Sequence, residues 1–539
     1  MEVIVKYSVS FPELVKALSD DPNIISVENL GQGFGIVTGN DVILQQLPEY
    51  TIIEDVETSK NIYTQDERGM TASCIRAVQN ENSLGLTGDG VIVGIIDTGI
   101  DYTHPAFLKS DGTTRLLSFW DQTVNGVPPE EFSIGNEYSS EEINTALKNK
   151  NPFAIIPLPD ISGHGTAVAG IAAGSSAMYT GAAPKADIIA VRVSSGRDDF
   201  TRSASLMRGV RYITEKARLY GKPAAINISF GMNRGSHRGN SLFEEYLDAM
   251  STVWKVSVIV PTGNEGGSGH HYSGRLFSGE TKTIDIFTAA GINGFYISLW
   301  KNFADNISAE LILPSGKGTI SLTPLIPQKT VKLKDYTVFA LYSEPTRYNA
   351  AQEIFFEIVS DNSFEQPEIF QLRLTAGAVT DGNFDIWLPT VEEVTTGTYF
   401  GNADNYNTMT IPSTSAKVIS VSGYNQRLDS TAEFSGVGNK NIYLPIPDIS
   451  APSVGITAPR TGGGYDSFTG TSFAAPFVTG SAALLMELGI VRGISPFLYG
   501  EKLKAYLIKG AVRKRNLTYP DSFYGYGTLC TFASAMLLI

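Results

Sequence analysis

The alternation of hydrophobic and polar positions changes along the chain, and its first segment has the pattern of several strands and one helix. VIVKYSV, SVENL, GFGIVTG and YTIIEDV alternate apolar and polar residues, whereas FPELVKALSDD has helical spacing. Alternation is typical of half-buried strands. Residues 1–65 are therefore predicted to form a small α+β domain, and the polar stretch that follows, ETSKNIYTQDERGMTAS, is predicted to be an exposed connection.

From about residue 74 to residue 270, continuous apolar runs are separated by helical segments. The runs are VIVGIID, ADIIAVRV, AAINISF and VSVIVPTG, and the clearest helix is SASLMRGVRYITEKARLYG. This combination is typical of buried parallel strands joined by crossover helices. We assign residues 66–270 to the first part of an α/β domain, with a parallel sheet and helices on both faces. Its ligand site is expected at the carboxyl ends of the strands.

Residues 271–405 have almost no helical pattern. They contain short alternating strands separated by turn residues, which predicts an all-β sandwich or jelly-roll-like domain. The α/β pattern then resumes with AKVISVSGY and the long apolar helix AAPFVTGSAALLMELG. The β domain is therefore expected to be an insertion, and residues 406–539 form the second part of the α/β domain.

Composition limits the classes of function and location. The chain has 539 residues and a net charge of −14, which disfavours nucleic-acid binding because that needs a basic surface. Cys74 and Cys530 are too few for a disulfide scaffold, and we interpret them as buried hydrophobic residues. The low cysteine content fits a reducing compartment, although many secreted bacterial proteins also lack cysteine. No secretory signal pattern and no apolar run approaching ~18 residues is found, so we expect cytoplasmic synthesis and no membrane span.

Three polar side chains stand at predicted strand or helix ends in Gly-rich contexts. Asp97 ends the buried strand of VIVGIIDTGID, where a carboxylate needs a partner such as an imidazole N–H. His164 opens a small-residue helix in ISGHGTAVAGIAAG, and Ser472 opens an apolar helix in FTGTSFAAPFVTGSAALL. Taken singly, the three could be a turn cap, a structural histidine and an N-cap serine. Together they have the Asp, His, Ser order of a known catalytic triad.

The chain resembles the subtilisin family of serine proteases in IIDTGID, GHGTAVAGIAAG and GTSFAAPFVTGSAALL. The resemblance covers roughly residues 1–270 and 406–539, and it implies a role for each residue. Ser472 would attack the peptide carbonyl, His164 would transfer the proton and Asp97 would orient the imidazole. Asn264, in PTGNEGG, matches the oxyanion-hole asparagine that acts with the backbone N–H of Ser472. The alternative for Asn264 is a turn asparagine.

Substrate contacts are implied by the same resemblance. A substrate strand would lie between the segment that lines the first specificity pocket and an opposite edge that follows AVRV, and would pair with both through its main chain. The residues assigned to substrate binding are Ser195, Gly196, Ser229, Phe230, Gly231, Thr262 and Gly263.

No metal or other cofactor is expected. Where many relatives fold a calcium loop, AGSSAMYTGAAP contains no carboxylate, and calcium sites usually include several. His270 and His271 form an exposed-looking pair after Asn264. We interpret them as part of a polar loop at the entrance to the β insertion; a metal-binding pair is the less favoured alternative.

Residues 1–65 resemble the α+β propeptides of this family, which assist folding, are removed by self-cleavage and then occupy the cleft. The usual position of the mature N-terminus relative to the triad aspartate points to cleavage between Gln65 and Asp66. The whole layout is similar to the Csp germination proteases of clostridia, whose substrate is the zymogen of a cortex-degrading hydrolase. For this chain we then expect packaging in the spore. The alternatives are a broad-specificity intracellular or exported subtilisin, or a pseudoprotease that signals by binding.

Overall fold

The computed structural model describes residues 2–40, 42–58, 68–157, 160–176, 178–194, 201–316, 318–333, 335–346 and 349–539. The chain divides into two units, Met1–Asp66 and Glu67–Ile539. The positions predicted for self-cleavage, Gln65 and Asp66, lie outside the described residues, and so do Ser195 and Gly196.

The N-terminal unit is a four-stranded antiparallel sheet with helices packed on one face. Val3, Val5 and Val37 point from the strands into a core that they share with Leu14 and Leu18 of the first helix. The predicted strands and helix are present, and one short second helix was missed. The elements are β1 (Glu2–Tyr7), α1 (Phe11–Leu18), β2 (Ile24–Gly31), β3 (Phe34–Gly39), α2 (Ile43–Gln46) and β4 (Ile53–Thr58).

The second unit begins with alternating strands and helices, in agreement with the apolar runs of the sequence. The end of the polar connection is helical, so the expectation of an exposed loop there is wrong for residues 68–72. The elements are α3 (Arg68–Ala72), α4 (Ile75–Gln79), β5 (Ile92–Asp97), β6 (Leu116–Asp121), β7 (Asn136–Ser139), α5 (Ser140–Leu147), α6 (His164–Ala173), β8 (Asp187–Arg192), α7 (Ser203–Tyr220), β9 (Ala224–Ile228), α8 (Leu242–Met250) and β10 (Val256–Pro261).

The next segment forms two antiparallel sheets, of six and five strands, around one shared core. Leu299 and Val338 enter that core from one sheet, and Ile286 and Leu372 enter it from the other. The elements are β11 (His271–Arg275), β12 (Thr281–Thr288), β13 (Gly294–Asn302), β14 (Ile307–Ile312), β15 (Thr319–Leu322), β16 (Gln328–Lys332), β17 (Tyr336–Tyr342), β18 (Ala351–Ser360), β19 (Glu368–Ala376), β20 (Asn383–Trp387), α9 (Val391–Val394) and β21 (Tyr399–Phe400).

The remainder of the chain returns to the large sheet. Its apolar helical segment Thr471–Val491 has the length and hydropathy of a membrane span, but 94% of its most apolar 18-residue window is buried inside the protein, as in core helices. The elements are β22 (Ile419–Asn425), β23 (Ser430–Thr431), β24 (Ile449–Pro452), β25 (Ile456–Pro459), β26 (Tyr465–Phe468), α10 (Ala475–Met486), α11 (Gly500–Gly510) and α12 (Thr531–Met536).

A nine-stranded, mostly parallel sheet is the centre of the second unit, in the order β23-β22-β10-β9-β5-β8-β6-β7, with β24 also paired to β22. Helices α6 and α10 pack on one face and helices α7 and α8 on the other. Strand β5 is flanked by β8 and β9, so its last residue, Asp97, lies at the middle of the carboxyl edge. This is the edge where the sequence predicts the site.

The two cysteines form a disulfide bond, which corrects the interpretation of Cys74 and Cys530 as unpaired hydrophobic residues. Their Cα atoms are 4.8 Å apart although 456 positions separate them. Cys74 precedes α4 and Cys530 precedes α12, so the bond joins the beginning of the second unit to its last helix.

Candidate active site

Asp97 and His164 meet where the carboxyl end of β5 faces the first residue of α6. Asp97 is fully buried, and its Oδ1 accepts hydrogen bonds from Nδ1 of His164 and from the N–H of Thr98, both at 2.7 Å. Because a carboxylate can only accept hydrogen bonds, Nδ1 of His164 carries the ring proton. Nε2 is then the nitrogen that can take up a proton.

The two glycines around His164 allow this close approach. Gly163 has a φ of 76°, a left-handed conformation that side chains rarely adopt. A Cβ on Gly165 would lie 2.2 Å from the carbonyl oxygen of Gly99 and would push α6 away from Asp97. The Gly-His-Gly sequence is therefore required by the geometry at the helix start.

A polar network around the buried Thr98 and Asp160, missed at the sequence level, supports the pair. The hydroxyl of Thr98 donates to Asp160 at 2.7 Å and accepts from the N–H of Gly165 at 3.0 Å. Asp160 also accepts from the N–H of Thr166 at 2.8 Å, and the hydroxyl of Ser162 accepts from the N–H of His164 at 3.2 Å. These bonds satisfy N–H groups of the first turn of α6, which have no partner within the helix. The sequence feature that could have indicated this network is Asp160, a carboxylate three positions before the Gly-His-Gly sequence.

Ser472 lies in the helical turn Thr471–Phe473 that leads into α10. With His164 and Asn264, it lines a cleft of about 810 Å³. The aromatic ring of the next residue, Phe473, is centred 5.3 Å from the imidazole of His164, which places the two segments side by side. Because this turn leads into α10, Ser472 lies at a helix start, where N–H groups without a helical partner and the helix dipole favour negative charge.

Asn264 is fixed by the same turn. Its Oδ1 accepts from the N–H and from the hydroxyl of Thr471, each at 3.1 Å. The backbone N–H can only donate, so Nδ2 of Asn264 is the end of the amide that faces away from Thr471. Nδ2 donates to Oε1 of Glu392 at 3.1 Å.

Five of the residues predicted to bind substrate lie in the described part of the chain, and four of them line the cleft. Ser229, Phe230, Gly231 and Gly263 line it. Thr262 is fully buried, its N–H donates to the carbonyl of Val421 and its carbonyl accepts from the N–H of Thr410, both at 2.9 Å. Thr262 therefore does not line the cleft, and its two backbone groups are already paired within the protein.

The inserted β domain also contributes to the cleft wall, which the sequence did not indicate. Its lining residues are Tyr296, Thr390, Glu392 and Glu393. The last three belong to the start of α9, after the last long strand of the insertion. The insertion is thus part of the site and not a remote appendage.

His270 and His271 are buried, contrary to the expectation of an exposed polar loop. Nδ1 of His270 lies 2.6 Å from Glu265, and Nε2 of His271 lies 3.0 Å from Asp385. The ring of His271 also packs on Trp387. Among the described residues, no group of three or more histidine, cysteine, aspartate or glutamate side chains is arranged to hold a metal ion.

Comparison with known proteins identifies related chains. The model of the subtilase family matches residues 88–288 and 382–527, so the unmatched stretch between these segments falls within the inserted β domain. The structure of the CspB protease of Clostridium perfringens is 35% identical, with a TM-score of 0.79 over 88% of this chain and 98% of that one.

Two curated relatives are much longer proteins. The PII-type proteinase of Lacticaseibacillus paracasei is 23% identical over 86% of this chain, which spans 26% of that proteinase. The minor extracellular protease Vpr of Bacillus subtilis is 23% identical over 83% of this chain, which spans 51% of Vpr. The chain therefore spans about half or less of the length of these relatives.

Proposed function

The chain belongs to the subtilase family, the subtilisin-like serine proteases, and we propose that it is an endopeptidase in which Asp97, His164 and Ser472 form the catalytic triad. The observation that carries the proposal is the 2.7 Å hydrogen bond between the buried Asp97 and His164, on the same cleft as Ser472. A buried carboxylate that orients an imidazole beside a serine at a helix start is the arrangement that serine acylation requires.

The proposed reaction has two halves. Oγ of Ser472 attacks the peptide carbonyl while Nε2 of His164 takes the hydroxyl proton and then passes it to the leaving amine. The C–N bond breaks and an acyl ester remains on Ser472. Water then attacks this ester with His164 again acting as the base, and the carboxylic acid leaves. Asp97 stabilises the imidazolium in both halves.

The proposed oxyanion hole consists of Nδ2 of Asn264 and the backbone N–H of Ser472. Support comes from the two bonds by which Thr471 fixes the amide oxygen of Asn264, since they leave the donor end of the amide on the other side. Donors that are held before the reaction stabilise the developing negative charge without reorganisation.

We further propose that the protease cleaves a narrow set of protein substrates, such as the zymogen of a spore cortex hydrolase, and that it acts in germination. The proposal is supported by the likeness to the CspB protease over nearly all of that chain. Synthesis in the cytoplasm and packaging in the spore belong to the same proposal. Disulfide bonds persist in oxidising surroundings, which fits a final location outside the vegetative cytoplasm.

Self-cleavage between Gln65 and Asp66, with residues 1–65 then held in the cleft as a propeptide, is also proposed. N-terminal sequencing and intact mass of wild type and of Ser472→Ala test it. We expect the wild type to yield a chain that begins at Asp66 and the variant to stay at full length. Identical fragments from both proteins would contradict self-cleavage.

Digestion of denatured casein separates the restricted protease from the alternatives. A restricted enzyme degrades casein slowly even after the propeptide is removed, whereas a broad-specificity subtilisin degrades it rapidly. A pseudoprotease would neither cleave casein nor mature by itself.

A further inference from the structure

Helix α9 of the inserted β domain is hydrogen-bonded to the loop that carries Asn264. The N–H of Val391, at the start of α9, donates to Oε1 of Glu265 at 2.8 Å. Glu265 is buried, and its other carboxylate oxygen accepts from the hydroxyl of Ser268 at 2.9 Å and lies 2.6 Å from Nδ1 of His270. Since Glu265 directly follows Asn264, this anchor fixes α9 relative to the loop that carries the oxyanion donor.

Glu392 extends this anchor to Asn264 itself. Its Oε1 accepts a hydrogen bond from Nδ2 of Asn264 at 3.1 Å, while the amide oxygen of Asn264 accepts two hydrogen bonds from Thr471. An amide has two N–H protons, so one remains for an oxyanion. The side chain of Asn264 is therefore held at both ends, once by the turn of the nucleophile and once by the insertion.

We infer that Glu392 is a positioning residue for the oxyanion hole, acting through Asn264; the inference rests on the proposed function. A donor that stabilises the transition state must be oriented before charge develops, and small misplacements of such groups reduce rates strongly. Glu392, which belongs to the inserted β domain, holds Nδ2 of Asn264 in place through this hydrogen bond. The inserted domain thereby contributes to catalysis and not only to stability.

The neighbouring glutamate, Glu393, has a different structural role. Glu393 accepts from the N–H and the hydroxyl of Thr390, each at 3.2 Å, and so caps the start of α9. Loss of solvation raises the pKa of Glu393, although bonds from Thr390 act in the opposite direction. Of these two glutamates, Glu392 is thus the one that contacts Asn264.

The negative charge of Glu392 opposes its positioning effect. A carboxylate near a developing oxyanion repels it, whereas the oxygen of a glutamine accepts the same hydrogen bond without the charge. The two substitutions Glu392→Ala and Glu392→Gln therefore separate the hydrogen bond from the charge.

The test measures kcat and KM of the matured protein on a chromogenic peptide for wild type, E392A, E392Q and the control E365A. Glu365 is an exposed glutamate of the insertion, between β18 and β19, and it does not line the cleft. We expect E392A to lower kcat by roughly 3- to 10-fold with KM changed by less than about twofold. E392Q should have a kcat equal to or above that of the wild type, and E365A should match the wild type.

The same substitution in an Asn264→Ala background tests whether Glu392 acts through Asn264. We expect N264A/E392A to have the kcat of N264A alone, because no amide remains to be positioned. Equal kcat values for E392A and E392Q, or the same fractional loss from E392A in both backgrounds, would overturn the inference alone. Absence of turnover by the wild type would contradict the proposed function and, with it, this inference.

Discussion

Nδ1 of His164 lies 2.7 Å from Oδ1 of Asp97, although 67 positions separate the two residues in the chain. The contact exists because β5 ends at the centre of the parallel sheet and α6 begins against that end, with Gly165 leaving room for the approach. Substitutions at this contact should reduce kcat without unfolding the protein, so activity and melting temperature can be measured separately.

Asp97→Asn should lower kcat by about 10⁴-fold, the magnitude known for this role in related proteases. The amide no longer selects the tautomer in which Nδ1 of His164 carries the proton. Activity on a chromogenic peptide gives kcat, and the melting temperature reports on the fold. A loss of less than tenfold in a folded variant would contradict the role assigned to Asp97.

Thr98→Val should reduce kcat by roughly tenfold, and Thr98→Ser should retain most of the activity. Valine has the shape of threonine but neither donates to Asp160 nor accepts from Gly165, so the start of α6 loses a support. Serine keeps both bonds. Comparison of the two variants on one substrate isolates the hydroxyl, and equal activities would show that the network does not position His164.

The disulfide bond should contribute to stability. Replacement of both cysteines in Cys74→Ser/Cys530→Ser releases the beginning of the second unit from α12, with an expected loss of about 2–4 kcal/mol. Melting curves with and without a reducing agent measure this effect. Reductant should lower the melting temperature of the wild type towards that of the double variant, and should leave the double variant unchanged. A wild type insensitive to reductant after full reduction of its thiols would contradict the expectation.

Lys301 should make stability rise with pH in the alkaline range. Its ammonium is buried in the insertion and donates to the carbonyl of Asp305 and to Gln352, each at 2.7 Å. Burial lowers the pKa of Lys301 to about 8, whereas an unfolded lysine has a pKa of ~10.4. Between these values the unfolded chain binds a proton that the folded chain lacks, so the free energy of unfolding increases by up to ~1.4 kcal/mol per pH unit.

The matched variant for this effect is Lys301→Met, which cannot titrate. We expect the melting temperature of the wild type, relative to that of the variant, to rise from about pH 8 to about pH 10.4 and to be constant below. A difference that does not change with pH would contradict the lowered pKa of Lys301.

Much of the fold and several of the site positions follow from local sequence. The runs VIVGIID and AAINISF specify buried strands, and the glycines around His164 mark a close approach that the structure explains. Such features depend on neighbours in the chain, which a sequence displays directly. The edge of the sheet at which the site lies follows from strand direction alone.

What could not be predicted depends on contacts between distant segments. No local pattern relates Cys74 to Cys530 across 456 positions. His270 and His271 look exposed in a polar stretch but are buried against Glu265 and Trp387. The contact of Glu392 with Asn264 likewise requires the insertion to fold back on the α/β core.

The most direct test of the central claim is reaction with a small fluorophosphonate, followed by peptide mass mapping, with and without mild denaturant to displace the propeptide. The account predicts a single adduct on Ser472 in the wild type, none in Ser472→Ala and strongly slowed labelling in His164→Ala. An unlabelled wild type under both conditions, or equal labelling of Ser472→Ala, would contradict it.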